Sequence, residues 1–229
     1  MKFASADNEE RMGFVQKVYG IVALQVGVTA LMCLLSMVNL TILQFMLDPG
    51  IIALSTICLI VITLMLCCSK DMRSAVPRNY CLLLIFTLCE GHLVSIVCNS
   101  YSPETVALAL VLTAGIFFVM TGYAMTAKKD YTISWKLMLA LICASLLIGV
   151  LKFFFNSSAL EILTCFLGIV IACFYILYDT QRLIGNHNCK FDLDDYILAA
   201  LDIYLNIIKL FLELLKLLDK LSDKKKDDK

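Results

Sequence analysis

Long apolar stretches alternate with short polar ones along nearly the whole chain. Seven runs, at 18–38, 51–69, 80–98, 105–127, 137–155, 161–178 and 196–218, are each about 18 to 23 residues long. A helix of about 20 residues measures about 30 Å, the depth of a bilayer's hydrocarbon core. The pattern therefore predicts an all-α fold, a polytopic transmembrane helix bundle of seven hydrophobic helices. Pro49, Pro77 and Pro103 are the only prolines and fall between the runs, so each run is expected to be a continuous helix that satisfies its own backbone in lipid. A β-barrel would need alternating polar and apolar positions, which these runs lack.

The expected organisation is a cytosolic segment at 1–17, one transmembrane domain at 18–218 and a charged tail at 219–229. Hydrophobic residues make up 61% of the chain, charged residues 17%, and the mean hydropathy is +0.87. A soluble globule would leave much of that apolar surface wet, and both end segments are too short for a core of their own. Membrane lipid is thus the expected partner. The formal net charge is zero and no basic patch interleaves with aromatics, so no nucleic acid partner is expected. MKFASADNEE lacks an apolar stretch, and the first run is expected to act as an uncleaved membrane signal.

Lys and Arg set the orientation. Lys2, Arg11, Lys17, Lys70, Arg73, Arg78, Lys128, Lys129, Lys136, Arg182 and Lys190 fall on one side, against Lys152 alone on the other. This predicts a cytosolic N-terminus. Lys216, Lys220, Lys224, Lys225, Lys226 and Lys229 conflict with it, since a seventh crossing would place them on the far side. The last segment either crosses despite them or returns as a re-entrant or interfacial helix. Its polar residues Asp202, Asn206, Lys209, Glu213, Lys216 and Lys220 form one stripe, opposite Leu198, Leu201, Leu205, Ile208, Leu212 and Leu215. Such a helix either lies in the interface, with Glu213 and Lys216 paired, or lines a polar path through the bundle.

Enzymatic motifs are missing. His92 and His187 are the only histidines, which excludes HExxH and multi-histidine zinc sites, and GxSxG is absent. No catalytic residues and no cofactor are expected. The eleven cysteines form no CxxC pair and read as reduced packing residues, with Cys67 and Cys68 as candidates for palmitoylation. Two sequons, at Asn39 and Asn156, fall in connections assigned to the non-cytosolic side. The remaining chemistry is the set of acids at membrane depth, where a charge costs a few kcal/mol or more. These are Glu90 in the third run, Glu161 opening the sixth, Asp179 closing it and Asp202 in the last. Glu90 reads either as a protonated carboxyl bonded between helices or as part of an ion path.

RMGFVQKVYGIVALQV, PRNYCLLLIFTLCEG, YAMTAKKDYT, LKFFF, ILYDT and ALDIYLNIIKLFLELL occur in that order and resemble the Bax-inhibitor (TMBIM) family in its Lifeguard branch, which poxviruses also carry. The resemblance implies a calcium-permeable leak channel of Golgi and endoplasmic reticulum membranes that lowers store calcium and inhibits apoptosis, with calcium as the permeant ion. It also implies a latch of two acids at the cytosolic mouth. ILYDT carries the first onto Asp179. The family's LYLD reads IYLN here, so Asn206 takes the second place, and Asp202, one turn earlier, is the alternative. Two close carboxylates repel and can share a proton, closing the mouth, whereas an amide bonds a carboxylate without titrating.

Arg73 is the cation expected beside Asp179. Glu161 matches an acidic position of the branch and, with Asp179, is a candidate weak calcium ligand; Glu90 lines or braces the path. Two other readings stay open. One is a scaffold acting through apoptosis or calcium-store proteins, and the other is a proton-coupled calcium antiporter. Oligomerisation is also left open.

Overall fold

The computed structural model describes residues 2–127, 135–154, 158–185 and 191–227. Helices stand at each of the seven expected runs, and no strand occurs among the described residues. They are α1 (Lys2–Val38), α2 (Leu40–Met46), α3 (Pro49–Cys68), α4 (Lys70–Ser74), α5 (Arg78–Cys98), α6 (Pro103–Thr126), α7 (Trp135–Phe154), α8 (Ser158–Ile184) and α9 (Tyr196–Asp227). Two were not expected. α2 lies in the first connection, where Asn39 Oδ1 accepts from Thr41 N and Ile42 N and so starts a helix. α4 is a single turn between α3 and α5. Pro49 and Pro103 open α3 and α6, where a missing N–H costs nothing.

Among the described residues, five helical stretches, Glu9–Val38, Pro49–Cys68, Arg78–Cys98, Pro103–Thr126 and Ala159–Ile184, are long and apolar enough to cross a membrane. α9 is not among them, because Asp202, Lys209 and Glu213 interrupt its apolar residues. Its helix nevertheless runs unbroken to Asp227, past the predicted start of the charged tail. α1 likewise begins at Lys2, well before the first apolar run. Glu, Lys, Arg, Ala and Met are good helix formers, so a helix does not stop where the hydrophobicity does.

The helices form two compact units, Met1–Pro103 with Phe191–Tyr204, and Glu104–Lys190 with Leu205–Lys229. In the first, α1 packs along α5, and α5 also packs against α3. α1 and α5 are parallel with a fixed offset. Gln25 Nε2 donates to Thr87 Oγ1 at 3.0 Å, Gly91 abuts Thr29, Ser95 Oγ lies 3.5 Å from Cys33 Sγ, and Asn99 Nδ2 donates to Ser36 Oγ at 2.7 Å. Steps of three or four on α1 and of four on α5 keep one ridge in one groove. Gly91 permits the approach, since a Cβ there would lie 2.9 Å from Met32 Sδ and 3.4 Å from Thr29 Cα. The start of α9 fills this unit, with Ile197, Ala199, Ala200, Leu201, Ile203 and Tyr204 buried.

In the second unit α7 packs on α8, and α8 runs antiparallel to the rest of α9. Ile171, Ala172, Ile176 and Leu177 of α8, and Ile207, Leu210, Leu214 and Leu215 of α9, are buried. Outward apolar residues such as Leu24, Leu31 and Leu34 of α1 and Val111, Phe118 and Val119 of α6 are exposed, as expected of surfaces covered by lipid.

Candidate functional site

The strongest concentration of intramembrane polar chemistry is the seam between α8 and α9. From Asn206 onward the polar stripe of α9 is turned onto α8, where Asn206, Lys209, Glu213 and Lys220 each meet a residue of that helix. Asn206 Nδ2 donates to Asp179 Oδ2 at 2.7 Å. One turn further, the Lys209 ammonium lies 5.7 Å from the centre of the Tyr175 ring. Next, the Glu213 side chain packs over Gly168, where a Cβ would come within 2.8 Å of its Cγ and Cδ. At the far end Lys220 Nζ meets Glu161 Oε2 at 2.8 Å. Partners that descend in number on α8 as they rise on α9 make the antiparallel pairing explicit. Glu213 and Lys216 also pair at 3.6 Å, the spacing of helical neighbours.

Asp179 is only 3% exposed. Besides Asn206 it receives Arg182 Nη1 at 3.5 Å, from one turn along its own helix, and the Arg182 guanidinium lies 5.3 Å from the Tyr178 ring centre. A buried carboxylate requires such donors, because losing one strands its charge.

The first unit holds two further polar groupings. At mid-helix Thr29 Oγ1 donates to Gln25 O at 3.0 Å and sits 2.7 Å from Tyr204 Oη, so the tyrosine donates to the threonine. Glu90 is half-buried on α5. At one end, the start of α1, the α4–α5 connection and the start of α9 converge. Arg73 Nε donates to Asp195 Oδ1 at 2.7 Å, and Asn79 Nδ2 donates to Tyr196 Oη at 2.7 Å and Arg73 O at 3.0 Å. Lys17 lies 3.2 Å from the Tyr196 ring centre, and Arg11 Nη1 donates to Phe191 O at 2.7 Å. At the opposite end His92 Nε2 donates to Met46 O at 2.9 Å, anchoring α2.

The profile of the family described as "Inhibitor of apoptosis-promoting Bax1" matches residues 11–223. The chain belongs to the Bax-inhibitor family. It is 34% identical to "Protein lifeguard 4" of Mus musculus over 226 residues, covering 96% of this chain and 90% of the relative. It is 30% identical to the "Golgi anti-apoptotic protein" of Vaccinia virus (strain Lister) over 227 residues, covering 97% and 91%. "Protein lifeguard 3" of Homo sapiens is 27% identical over 217 residues, covering 93% and 70%.

In this Bax-inhibitor chain the sequence-predicted site residues divide between the two units. Asp179, Asn206 and Glu161 lie in the second; Arg73, Asp202 and Glu90 lie in the first. Asp179 and Asn206 are in direct contact. Arg73, expected beside Asp179, pairs with Asp195 within the first unit, and Arg182 is a cation that Asp179 receives within the second. Asp202 is half-buried on α9, one turn before Asn206. Asn39 is exposed, with its Oδ1 engaged in the α2 cap; Asn156 lies outside the described residues. Among the described residues no group of three or more His, Cys, Asp or Glu converges to hold a metal.

Sequence reasoning missed Asp195, Asn79 and Tyr196, and it named Arg182 and Lys220 without pairing them with Asp179 and Glu161. A signal existed for the first. The acidic run Asp192, Asp194, Asp195 and the basic Lys70, Arg73, Arg78 occupy connections assigned to the same side.

Proposed function

We propose that this chain inhibits apoptosis from Golgi and endoplasmic reticulum membranes by leaking calcium out of the store. Its N-terminus is cytosolic, and Asp179 is the centre of a latch at the cytosolic end of α8. Family membership and the printed names of its relatives support the anti-apoptotic role. The convergence of Arg11, Lys17 and Arg73 at one end of the first unit supports the orientation.

The contact between buried Asp179 and Asn206 carries the latch reading. The Asn206 amide donates to a carboxylate without titrating itself, so this latch closes by a hydrogen bond rather than by a proton shared between two acids. Opening separates α9 from α8 at this level and leaves Asp179 to water or a passing cation. Glu161, at the opposite end of α8, attracts calcium by exchanging Lys220 for the divalent ion, and Glu90 borders the route. Weak binding suits conduction, which requires release.

The test is calcium flux into liposomes containing purified wild-type, Asp179→Asn or Glu161→Gln protein, at an acidic and a mildly alkaline pH. Wild type should pass calcium with little pH dependence, and both substitutions should change the flux. Identical flux in all three proteins would discard the residue roles. Cell protection that survives loss of flux would move the function to protein partners.

A further inference from the structure

α1 and α5 bring two thiols to one stretch of their seam. Cys98 lies on α5 between Ser95 and Asn99, which meet α1 at Cys33 and Ser36, and both cysteines are buried. Ser95, one turn before Cys98, donates to Gly91 O at 2.6 Å and lies 3.5 Å from Cys33 Sγ; Ser36 Oγ, one turn after Cys33, donates to Cys33 O at 2.8 Å and receives Asn99 Nδ2. The backbones are already close at Thr29 and Gly91, one turn before Cys33 and two before Cys98. Small side chains line this part of the seam, so bridging the sulfurs requires little movement of the helices.

We propose that Cys33 and Cys98 form a disulfide in the mature protein, stapling α1 to α5 at their non-cytosolic ends. The proposal rests on the orientation given above. Cys98 is the last residue of α5 and Cys33 lies in the last two turns of α1. Both therefore sit toward the face that the charge distribution assigns to the lumen, an oxidising compartment. The oxidant is a disulfide of the glutathione class. One cysteine thiolate attacks it, forming a mixed disulfide and releasing one thiol. The second thiolate then displaces the other, so two electrons and two protons leave the protein and the oxidant becomes two thiols. Exchange takes place as α1 and α5 assemble, before Cys98 is sealed. Cys58 and Cys89 lie at mid-helix in α3 and α5, beyond the reach of an aqueous oxidant, and they remain thiols.

The test uses full-length protein made in eukaryotic secretory membranes, alkylated in denaturant before any reduction and digested for mass spectrometry. A reduction-sensitive peptide pair joined through Cys33 and Cys98 is expected, with two further thiols labelled after reduction. Cys33→Ser and Cys98→Ser should each abolish the pair, and Cys58 and Cys89 should carry the first label. Both Cys33 and Cys98 carrying the first label in the wild type would overturn the proposal. Protease access to an N-terminal tag on sealed vesicles separates the causes. With a cytosolic tag the disulfide alone fails; with a luminal tag the orientation fails with it.

Discussion

Asn206→Asp would turn the amide latch into a pair of acids. The substitution is nearly isosteric and exchanges the Nδ2 that lies 2.7 Å from Asp179 Oδ2 for a second carboxylate oxygen. Two unit charges at that separation repel by about 6 kcal/mol at an effective dielectric of about 20. Sharing one proton removes most of that repulsion and makes a hydrogen bond of it. Acid should therefore hold the variant closed and alkali should drive it open. If only about 1.4 kcal/mol of the repulsion reaches the open–closed equilibrium, that equilibrium moves about tenfold. The assay is liposomal calcium flux across a pH series, with folding checked by size-exclusion profile. The flux ratio between alkaline and acidic pH should rise about tenfold in the variant and stay near unity in the wild type. A folded Asn206→Asp protein whose pH profile overlays the wild type would refute this contact as the latch.

Three further outcomes follow from the packing. Gly168→Leu places its Cβ within 2.8 Å of Glu213 and should cost about 1 to 3 kcal/mol by overpacking, read as earlier thermal unfolding in detergent, with most of the loss recovered by adding Glu213→Ala. Thr29→Val strands the Tyr204 hydroxyl and should cost about 1 kcal/mol. Tyr204→Phe on that background should then cost less than it does alone, which a double-mutant cycle measures. Lys220→Ala removes a partly exposed ion pair and should change stability by under about 1 kcal/mol, while calcium flux responds if Glu161 gathers the ion.

Hydrophobic length alone located the helices, because a lipid-spanning segment announces itself over twenty consecutive positions. It did not find α2, whose LTILQFM is too short to register as a span and depends on the Asn39 cap. The stripe from Asp202 to Lys220 was readable from its period, but its partners were not. That Lys220 meets Glu161 and Asn206 meets Asp179 depends on how far one helix is slid along another, and no local pattern encodes that slide. The same limit explains Arg73. Its charge and its side of the membrane were legible, yet its choice of Asp195 required the fold of 191–196 onto α4 and α5. Asp179 was found through ILYDT, and the IYLN departure pointed to the amide that contacts it.

The notch at Gly168 ties two distant positions into one unit of evolutionary change. A side chain added there displaces the carboxylate of residue 213, and a shorter residue at 213 leaves the notch vacant. Among relatives the two sites should vary together, glycine accompanying a long acid and a bulkier residue accompanying a small one. A catalogue of natural substitutions at those positions would reveal, without any assay, which descendants keep an anion stored between the helices.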